Sequence, residues 1–325
     1  MILGFVIGAQ CNATCEHCGK GYGPTRREAL STDRIVRLMS EAALIADGEP
    51  LCFAITGGEP FVRFESLVEI VTHAARLGAE VTCVTNAFWA TTDELTVAKL
   101  AILRDSGLTE LAISVSRFHQ RFVPLRRVRR ALETAVALGI ATTLKGAVTK
   151  PDLQPGGELA EWKEHLDADE IEIFPVLPYV REGVALPEDV YYRVPGLPEN
   201  RCPSEILNVD FNGVARSCCS PGRDDTFLGL GHIDSTPLAE INRRFLQQRK
   251  QQILREIGPI AFARAAIAAG LGHHLRDAYA GPCDLCLHVR TDPALRRVAD
   301  ELSATAVDLD AGAARNGDAP LGTID

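Results

Sequence analysis

The sequence predicts an α/β fold, a (β/α)6 TIM-like barrel that is closed fully or partly. Two observations support this prediction: six short apolar segments have strand character, and a segment with helical periodicity lies between each of them and the next, up to about residue 177. Strands that alternate with helices form a parallel sheet with right-handed crossovers. The 325 residues, of which 46% are hydrophobic, suffice for one sizeable core. In such a barrel the chemistry takes place at the carboxyl ends of the strands.

Each element has its own signal in the sequence. The segment ILGFVIG is a short apolar strand, and STDRIVRLMSEAALIA begins with a Ser/Thr cap and continues with helical spacing. The other predicted strands are LCFAIT, EVTCVT, ELAISVS, IATTLKGAV and EIEIFPV. The other predicted helices are FESLVEIVTHAARLG, TTDELTVAKLAILRDSG, PLRRVRRALETAVALG and GELAEWKEHL.

Charge and composition exclude several kinds of partner. The net charge of -9 argues against a nucleic acid partner, because phosphate backbones are bound by surfaces rich in Lys and Arg. No apolar run reaches the roughly 20 residues of a membrane helix, and the first residues lack the basic start of a signal peptide. We therefore expect a cytoplasmic protein that binds no membrane. In that reducing compartment, ten cysteines indicate metal ligands or reactive thiols rather than disulfides.

Three of these cysteines follow the first predicted strand, in the segment QCNATCEHCGKG. Cys11, Cys15 and Cys18 have the spacing C-x3-C-x2-C, and their loop lies at the chemical face of the barrel. Zinc would need a fourth ligand, for which His17 is a candidate, but His17 is squeezed against its cysteine neighbour. Three thiolates on one loop suit a 4Fe-4S cluster in which the fourth iron stays open.

A second motif, TGGEP, follows the second predicted strand. The combination of CNATCEHC after strand one and TGGEP after strand two resembles the radical S-adenosylmethionine (radical SAM) superfamily. The resemblance implies that the open iron chelates S-adenosylmethionine (SAM) and that one electron from the cluster cleaves it to a 5′-deoxyadenosyl radical. It also implies that Gly57 and Gly58 admit the methionyl amino group, that Glu59 adds an acceptor, and that His17 replaces the usual aromatic residue near adenine.

Further SAM contacts follow from the same resemblance. They are polar residues at or near the ends of the third, fourth and fifth strands, where they would meet the ribose or the carboxylate of SAM. These residues are Asn86, Ser114, Ser116 and Lys145. The alternative interpretation is ordinary polarity at strand ends.

Four more cysteines lie beyond the predicted barrel. LNVDFNGVARS is predicted to be a β-hairpin with Asn212-Gly213 in its turn, so that Cys202 and Cys218 meet near its base. Cys283 and Cys286 form a C-x2-C pair in GPCDLCLH. By residue type alone these four can form a zinc ribbon or an auxiliary 4Fe-4S cluster.

Beside the N-terminal motif, this second set resembles the SPASM/twitch extension of radical SAM enzymes. No cysteine follows Cys286, so the resemblance implies the twitch form with one auxiliary cluster. The expected domains are a partial barrel over residues 1–180, a twitch-type iron-sulfur region of a hairpin plus helices over 181–292, and a C-terminal helix and flexible tail over 293–325.

Cys219 follows a presumed ligand directly. Neighbouring side chains on a strand point to opposite faces, so Cys218 and Cys219 should not both bind one cluster, although either can be the ligand. The whole pattern resembles the epimerases that make D-residues in ribosomal peptides, in which a cysteine aimed into the barrel mouth returns a hydrogen atom to carbon. This resemblance implies a precursor peptide or small-molecule substrate and a flavodoxin- or ferredoxin-type reductant.

Two alternatives remain open from the sequence. One is another radical SAM outcome: epimerisation or dehydrogenation of an aminoglycoside or other sugar, or thioether formation in a peptide. The other is an iron-sulfur electron carrier or a zinc scaffold, which the GGEP motif and the six-unit barrel disfavour.

Overall fold

The computed structural model describes residues 1–219 and 226–305. They form two compact units. The first comprises residues 1–191 and 205–246, and the second comprises residues 192–204 and the described residues from 247 onward.

The first unit contains a nine-stranded sheet whose larger part is the predicted parallel sheet. Its six parallel strands stand in sequential order, each pairing with the next along the chain. These strands are β1 (Ile2–Val6), β2 (Cys52–Thr56), β3 (Glu80–Thr85), β4 (Glu110–Val115), β5 (Ala141–Val148) and β6 (Glu170–Pro175). The α/β fold and the parallel sheet are thus confirmed.

Helices connect the strands, as the periodicity predicts. In the first of them, Ile35, Met39 and Ala42 share one buried face, and the Ser31 side chain caps the helix by accepting from the Arg34 N–H at 3.4 Å. The helices of this unit are α1 (Thr32–Ala46), α2 (Phe64–Arg76), α3 (Asp93–Ser106), α4 (Arg117–Gln120), α5 (Leu125–Ala137), α6 (Glu158–His165) and α7 (Leu238–Gln247), the last of which ends at the unit boundary.

Three short strands extend this sheet on the other side of β1. They are β8 (Leu207–Val209), β9 (Val214–Arg216) and β10 (Gly229–His232), and they follow the two-residue strand β7 (Val194–Pro195) of the second unit. The predicted hairpin is confirmed, because β8 and β9 pair antiparallel around Gly213, which has a φ of 84°. The sequence did not indicate that the hairpin joins the barrel sheet.

The hairpin has a fixed direction in the sheet. β8 runs parallel to β1, with Leu3 beside Leu207 and Phe5 beside Val209, so the tip lies at the carboxyl edge of the parallel strands. There the Phe211 ring meets the Tyr22 ring with centroids 6.2 Å apart. Because β9 runs back, the base of the hairpin lies at the amino edge.

The second unit is mostly helical. Its short strand β7 pairs antiparallel with β11 (Ala278–Tyr279), and its core includes Phe262, Leu285 and Leu295. Its helices are α8 (Arg249–Glu256), α9 (Ile260–Ala268), α10 (Pro282–Thr291) and α11 (Pro293–Ala304). α7 and α8 are separate helices, because Gln248 between them has extended backbone with a ψ of 104°.

Among the described residues, no helix combines the length and the apolar character that crossing a membrane requires. The tail beyond residue 305 that was expected to be flexible lies outside the described residues.

Candidate active site

The cysteine loop continues β1 at the carboxyl edge of the sheet, and backbone hydrogen bonds fix its course. The Cys11 N–H donates to the Gly23 carbonyl at 3.1 Å. On the other side, the N–H groups of Gly58 and Glu59 donate to the carbonyls of Gly8 and Gln10 at 2.8 and 2.9 Å. The pairing of β1 with β2 is thereby extended into the two loops that carry the motifs.

Both glycines of the GGE turn are required by this close approach. A Cβ atom on Gly57 would lie 2.8 Å from the Gly8 carbonyl oxygen, and one on Gly58 would collide with the backbone of Gln10. The sequence prediction assigned the glycines to the approach of the SAM amino group. The structure gives them a packing reason, which is the contact between the two motif loops.

Glu59 is buried behind this turn and accepts three hydrogen bonds. Its carboxylate accepts from the Thr85 hydroxyl at 2.7 Å, from the Phe61 N–H at 3.1 Å and from the Asn86 N–H at 2.8 Å. Burial nevertheless raises the pKa of Glu59 to about 7, and the three hydrogen bonds oppose that shift. The carboxylate therefore fixes the end of β3 against the turn after β2.

Asn86 connects that end of β3 to the cysteine loop. Its side-chain amide donates to the Asn12 side-chain oxygen at 2.8 Å, and it lies 3.9 Å from the Cys11 sulfur. The Ala13 N–H also points at that sulfur, at 3.4 Å. Cys11 is thus held by donors from its own loop and from β3.

A single cavity of about 190 Å³ unites the two motifs. Its lining includes most of the predicted cluster ligands and SAM contacts. These are Cys11, Cys15, His17, Cys18, Gly57, Gly58, Glu59, Asn86 and Ser114. The structure therefore brings nine predicted residues, from four different strand ends, to one place.

The three cysteines of the cavity, all in the described part of the chain, are thiols rather than disulfide partners. Burial raises the pKa of Cys11 and of Cys15 to about 12, and each thiolate is further disfavoured by a neighbouring cysteine. Within residues 1–219 and 226–305, no three His, Cys, Asp or Glu side chains meet closely enough for a single metal ion. The three thiols instead surround a shared space.

His17 faces this cavity in an aromatic cluster. Its ring stacks on Phe118 at 4.8 Å and meets His119 edge-on at 4.9 Å. Burial, followed by the charges of His119 and Arg181, holds the pKa of His17 well below 6.5, so the ring is neutral at pH 7. Its Nδ1 is buried and makes no hydrogen bond within the described residues, which leaves a polar atom for a ligand to satisfy.

Ser116 has a structural task in the same cluster. Its hydroxyl caps the short helix α4 through the His119 N–H at 3.1 Å and also bonds His119 Nδ1 at 2.8 Å. Ser116 is fully buried and does not line the cavity. This cap explains why the segment around His119 forms one helical turn.

Lys145 is also outside the cavity lining. Its ammonium pairs with Glu172 on the neighbouring strand at 2.5 Å, and both side chains are partly exposed. The structure thus supplies a cross-strand partner for the lysine that the resemblance assigned to SAM.

Arg181 lines the cavity, and the sequence analysis missed it. It lies in the connection after β6, where no motif or periodicity marks it. Its backbone N–H donates to the Glu16 carbonyl at 2.9 Å, its Nε donates to the Cys15 carbonyl at 3.2 Å, and its Nη2 donates to the Tyr22 carbonyl.

The remaining predicted cysteines lie elsewhere. Cys218 is half-buried and Cys219 is exposed, and both follow β9 at the base of the hairpin, at the amino edge of the sheet. Among the described residues Cys219 does not line the cavity. Cys202, Cys283 and Cys286 are half-buried residues of the second unit, and the four-cysteine auxiliary site stays a prediction.

A comparison with known families identifies this arrangement. The family model of the Radical SAM superfamily matches residues 5–167, which contain both motifs and the parallel strands β2 to β5, together with the end of β1. The chain belongs to the radical SAM superfamily. Membership implies SAM and a 4Fe-4S cluster, in agreement with the sequence prediction.

Two curated relatives of this radical SAM protein have names that refer to peptides. "Putative peptide biosynthesis protein YydG" of Bacillus subtilis (strain 168) is 24% identical over 228 residues, which cover 69% of this chain and 70% of the relative. A PqqA peptide cyclase of Bradyrhizobium diazoefficiens is 28% identical over 176 residues, or 51% of this chain and 44% of the cyclase.

Solved structures show the same fold. The structure "Native anSMEcpe with bound AdoMet and Cp18Cys peptide" has a TM-score of 0.53 and 13% identity, and the match covers 78% of this chain and 82% of that one. A second structure of anSMEcpe with bound AdoMet has a TM-score of 0.57 and 12% identity, with 78% and 79% covered.

The cavity residues fit the group that the family implies. Three soft thiols on one loop are suitable iron ligands, and the orphaned His17 Nδ1 and the Arg181 guanidinium supply polar groups for a bound anion or base. Cys11, Cys15 and Cys18 would hold the cluster, with Asn86 and Ser114 beside SAM.

Proposed function

We propose that this radical SAM protein removes a hydrogen atom from a residue of a precursor peptide and epimerises that residue from L to D. The cavity that unites the three cysteines with the GGE turn, Asn86 and Ser114 is the observation that supports radical chemistry at this edge. The two relatives named for peptide biosynthesis and peptide cyclisation support a peptide substrate.

The chain's own residues perform binding and positioning in this proposal. SAM and the cluster together supply a radical that takes a hydrogen atom from carbon. Glu59 and Asn86 fix the loop that carries Cys11, since each bonds across two strand ends. Neutral His17 lines the cavity and stacks on Phe118, so its ring would offer a flat surface for the adenine of SAM.

The adjacent cysteines Cys218 and Cys219 support epimerisation as the outcome. In the proposed step, the Cys219 S–H bond breaks and a C–H bond forms on the opposite face of the substrate radical. The sulfur radical that is left takes up one electron from the reductant and one proton from solvent to restore the thiol. Exposure of Cys219 is consistent with access to substrate and solvent.

A second outcome is favoured by one observation. Cys219 follows β9 at the amino edge of the sheet, whereas the cavity opens at the carboxyl edge. A reaction without a thiol donor, such as dehydrogenation of a sugar or thioether formation in a peptide, does not require that residue near the cavity.

The radical step is tested with anaerobically reconstituted protein, SAM and dithionite. We expect release of 5′-deoxyadenosine, which single Cys11→Ala, Cys15→Ala and Cys18→Ala variants lose by at least about 100-fold. Cys52→Ala is the matched control, because this half-buried thiol lies on β2 outside the cavity. Unchanged product from the three cavity variants would contradict the assignment.

The epimerisation step is tested with a candidate precursor peptide as substrate, in deuterium oxide. We expect one deuterium at the inverted Cα, and we expect Cys219→Ala to release 5′-deoxyadenosine without forming the inverted residue. Cys52→Ala is again the control, because this half-buried thiol lies outside the cavity. A product two mass units lighter and free of deuterium would instead support the second outcome.

We further propose one auxiliary 4Fe-4S cluster on Cys202, Cys218, Cys283 and Cys286. The reconstituted protein should then hold about eight irons, and the Cys283→Ala/Cys286→Ala variant about four. Comparing the iron content of Cys218→Ala and Cys219→Ala tests which of the two is the ligand. About four irons in the wild type would contradict the auxiliary cluster.

A further inference from the structure

Arg181 makes contacts that single it out among the cations of the first unit. Its three donors all reach main-chain carbonyls of the cysteine loop, those of Cys15, Glu16 and Tyr22. The last two bracket Cys18 along the chain. One residue from beyond β6 therefore holds the segment that carries two of the three cluster ligands.

Among the described residues, no acidic side chain forms an ion pair with Arg181. The nearby Arg121, in contrast, pairs with Glu16 at 2.7 Å. Glu59 lines the same cavity, but its carboxylate is taken up by three other donors. Arg181 is the one Lys or Arg side chain among the described residues of the cavity lining.

A half-buried cation without a counter-charge is unfavourable unless an anion occupies the space beside it. With the cluster bound, its three thiolate ligands would bring negative charge into this cavity, and an electron taken up by the cluster would add more. A fixed guanidinium at the cavity wall is the complement of that charge.

We propose that Arg181 is a positioning residue of the cluster site, which shapes the cysteine loop through its carbonyl contacts and stabilises the reduced cluster by its charge. The proposal uses the cluster that family membership implies and does not depend on whether the product is an epimer. Reduction adds one electron from the donor to the cluster, so a nearby positive charge favours the reduced form and raises the midpoint potential.

Two variants separate the hydrogen-bonding geometry of the Arg181 guanidinium from its positive charge. Arg181→Gln removes the charge and most of the carbonyl contacts, while Arg181→Lys keeps the charge and loses the planar fork. Arg121→Gln is the control, since Arg121 is an exposed cation that touches the same loop through Glu16. Each protein is reconstituted anaerobically with iron and sulfide, and the N-terminal cluster is titrated with dithionite and followed by electron paramagnetic resonance.

We expect the midpoint potential of Arg181→Gln to fall by about 59 mV, which is a tenfold loss in the equilibrium constant of a one-electron couple. Arg181→Lys should keep the wild-type potential and bind less iron, and Arg121→Gln should match the wild type in both measurements. An unchanged potential in Arg181→Gln, or an equal fall in Arg121→Gln, would overturn the charge role.

If Arg181→Gln binds no cluster, the Lys variant decides the matter. If Arg181→Lys binds iron where Arg181→Gln does not, the result supports a role for the positive charge. If Arg181→Lys also binds no iron, the role of the charge is overturned. A shifted potential in Arg181→Gln, together with a wild type that forms no epimer, would refute only the proposed reaction.

Discussion

The two edges of the nine-stranded sheet both carry cysteines, but they hold them differently. At the carboxyl edge Cys11 and Cys15 are buried, and backbone hydrogen bonds from neighbouring loops fix their segment. At the amino edge Cys219 is exposed and Cys218 is half-buried, at the base of a hairpin with three-residue arms. The carboxyl edge thus forms an enclosed site, while the amino edge presents thiols to solvent.

The difference shows what makes a cysteine motif a site. Close approach of two backbones, which the glycines of the GGE turn allow, creates the wall of the cavity at the carboxyl edge. A buried carboxylate and a cation from a distant connection then complete it. Cysteine spacing alone does not distinguish the two edges.

The largest effect on stability and activity should come from Gly58→Ala, which disrupts the contact between the two motif loops. The added methyl group collides with the Gln10 backbone, which has little room to yield, so we expect a loss of stability of about 3 kcal/mol and at least tenfold less 5′-deoxyadenosine. Thermal unfolding and product release measure the two effects.

Gly23→Ala is the control for that experiment. A Cβ on Gly23 would meet only the Thr14 methyl group at 3.4 Å, an ordinary contact, so near wild-type behaviour is expected. If both substitutions lower stability and activity equally, the contact between the GGE turn and the cysteine loop has no special role.

A smaller, pH-dependent effect is expected at Glu59. Because burial raises the folded pKa to about 7 from an ordinary 4.5, the unfolded chain releases this proton first. The contribution of the protonated carboxyl to stability is full below about pH 4.5 and is lost as the pH rises through about 7. The loss is at most about 3 kcal/mol.

Glu59→Gln cannot titrate and removes this dependence. The advantage of the wild type over the variant in free energy of unfolding should therefore shrink between pH 5 and 8, as followed by urea unfolding of the anaerobic proteins. A difference that stays constant over this window would show that the pKa of Glu59 is not raised.

The smallest effect is expected for Lys145→Met. Lys145 pairs with Glu172 at a partly exposed position away from the cavity lining, so we expect a change in stability below about 1 kcal/mol. SAM affinity, measured by equilibrium dialysis, should change less than twofold, as it should in the control Glu172→Gln. A tenfold loss of SAM affinity in Lys145→Met would instead support the SAM contact that the sequence resemblance implied.

Much of the site was predictable because local patterns encode it. The order of apolar strands and capped helices predicts the parallel sheet, and parallel strands bring their carboxyl ends together. The cysteines and the GGE turn follow β1 and β2 directly, so their meeting in one cavity follows from that order. Arg181 follows no pattern, because its partners are main-chain carbonyls, which every residue has.

The sequence by itself determined the class of chemistry, since three cysteines at this spacing and a following Gly-Gly-Glu turn can be recognised from residue type alone. Only the tertiary structure decided that Ser116 caps a helix, that Lys145 pairs across strands, and that the hairpin carries Cys219 to the opposite edge. Those outcomes depend on strand direction and on which neighbour is within hydrogen-bond distance, and both are set by packing between segments far apart in the chain.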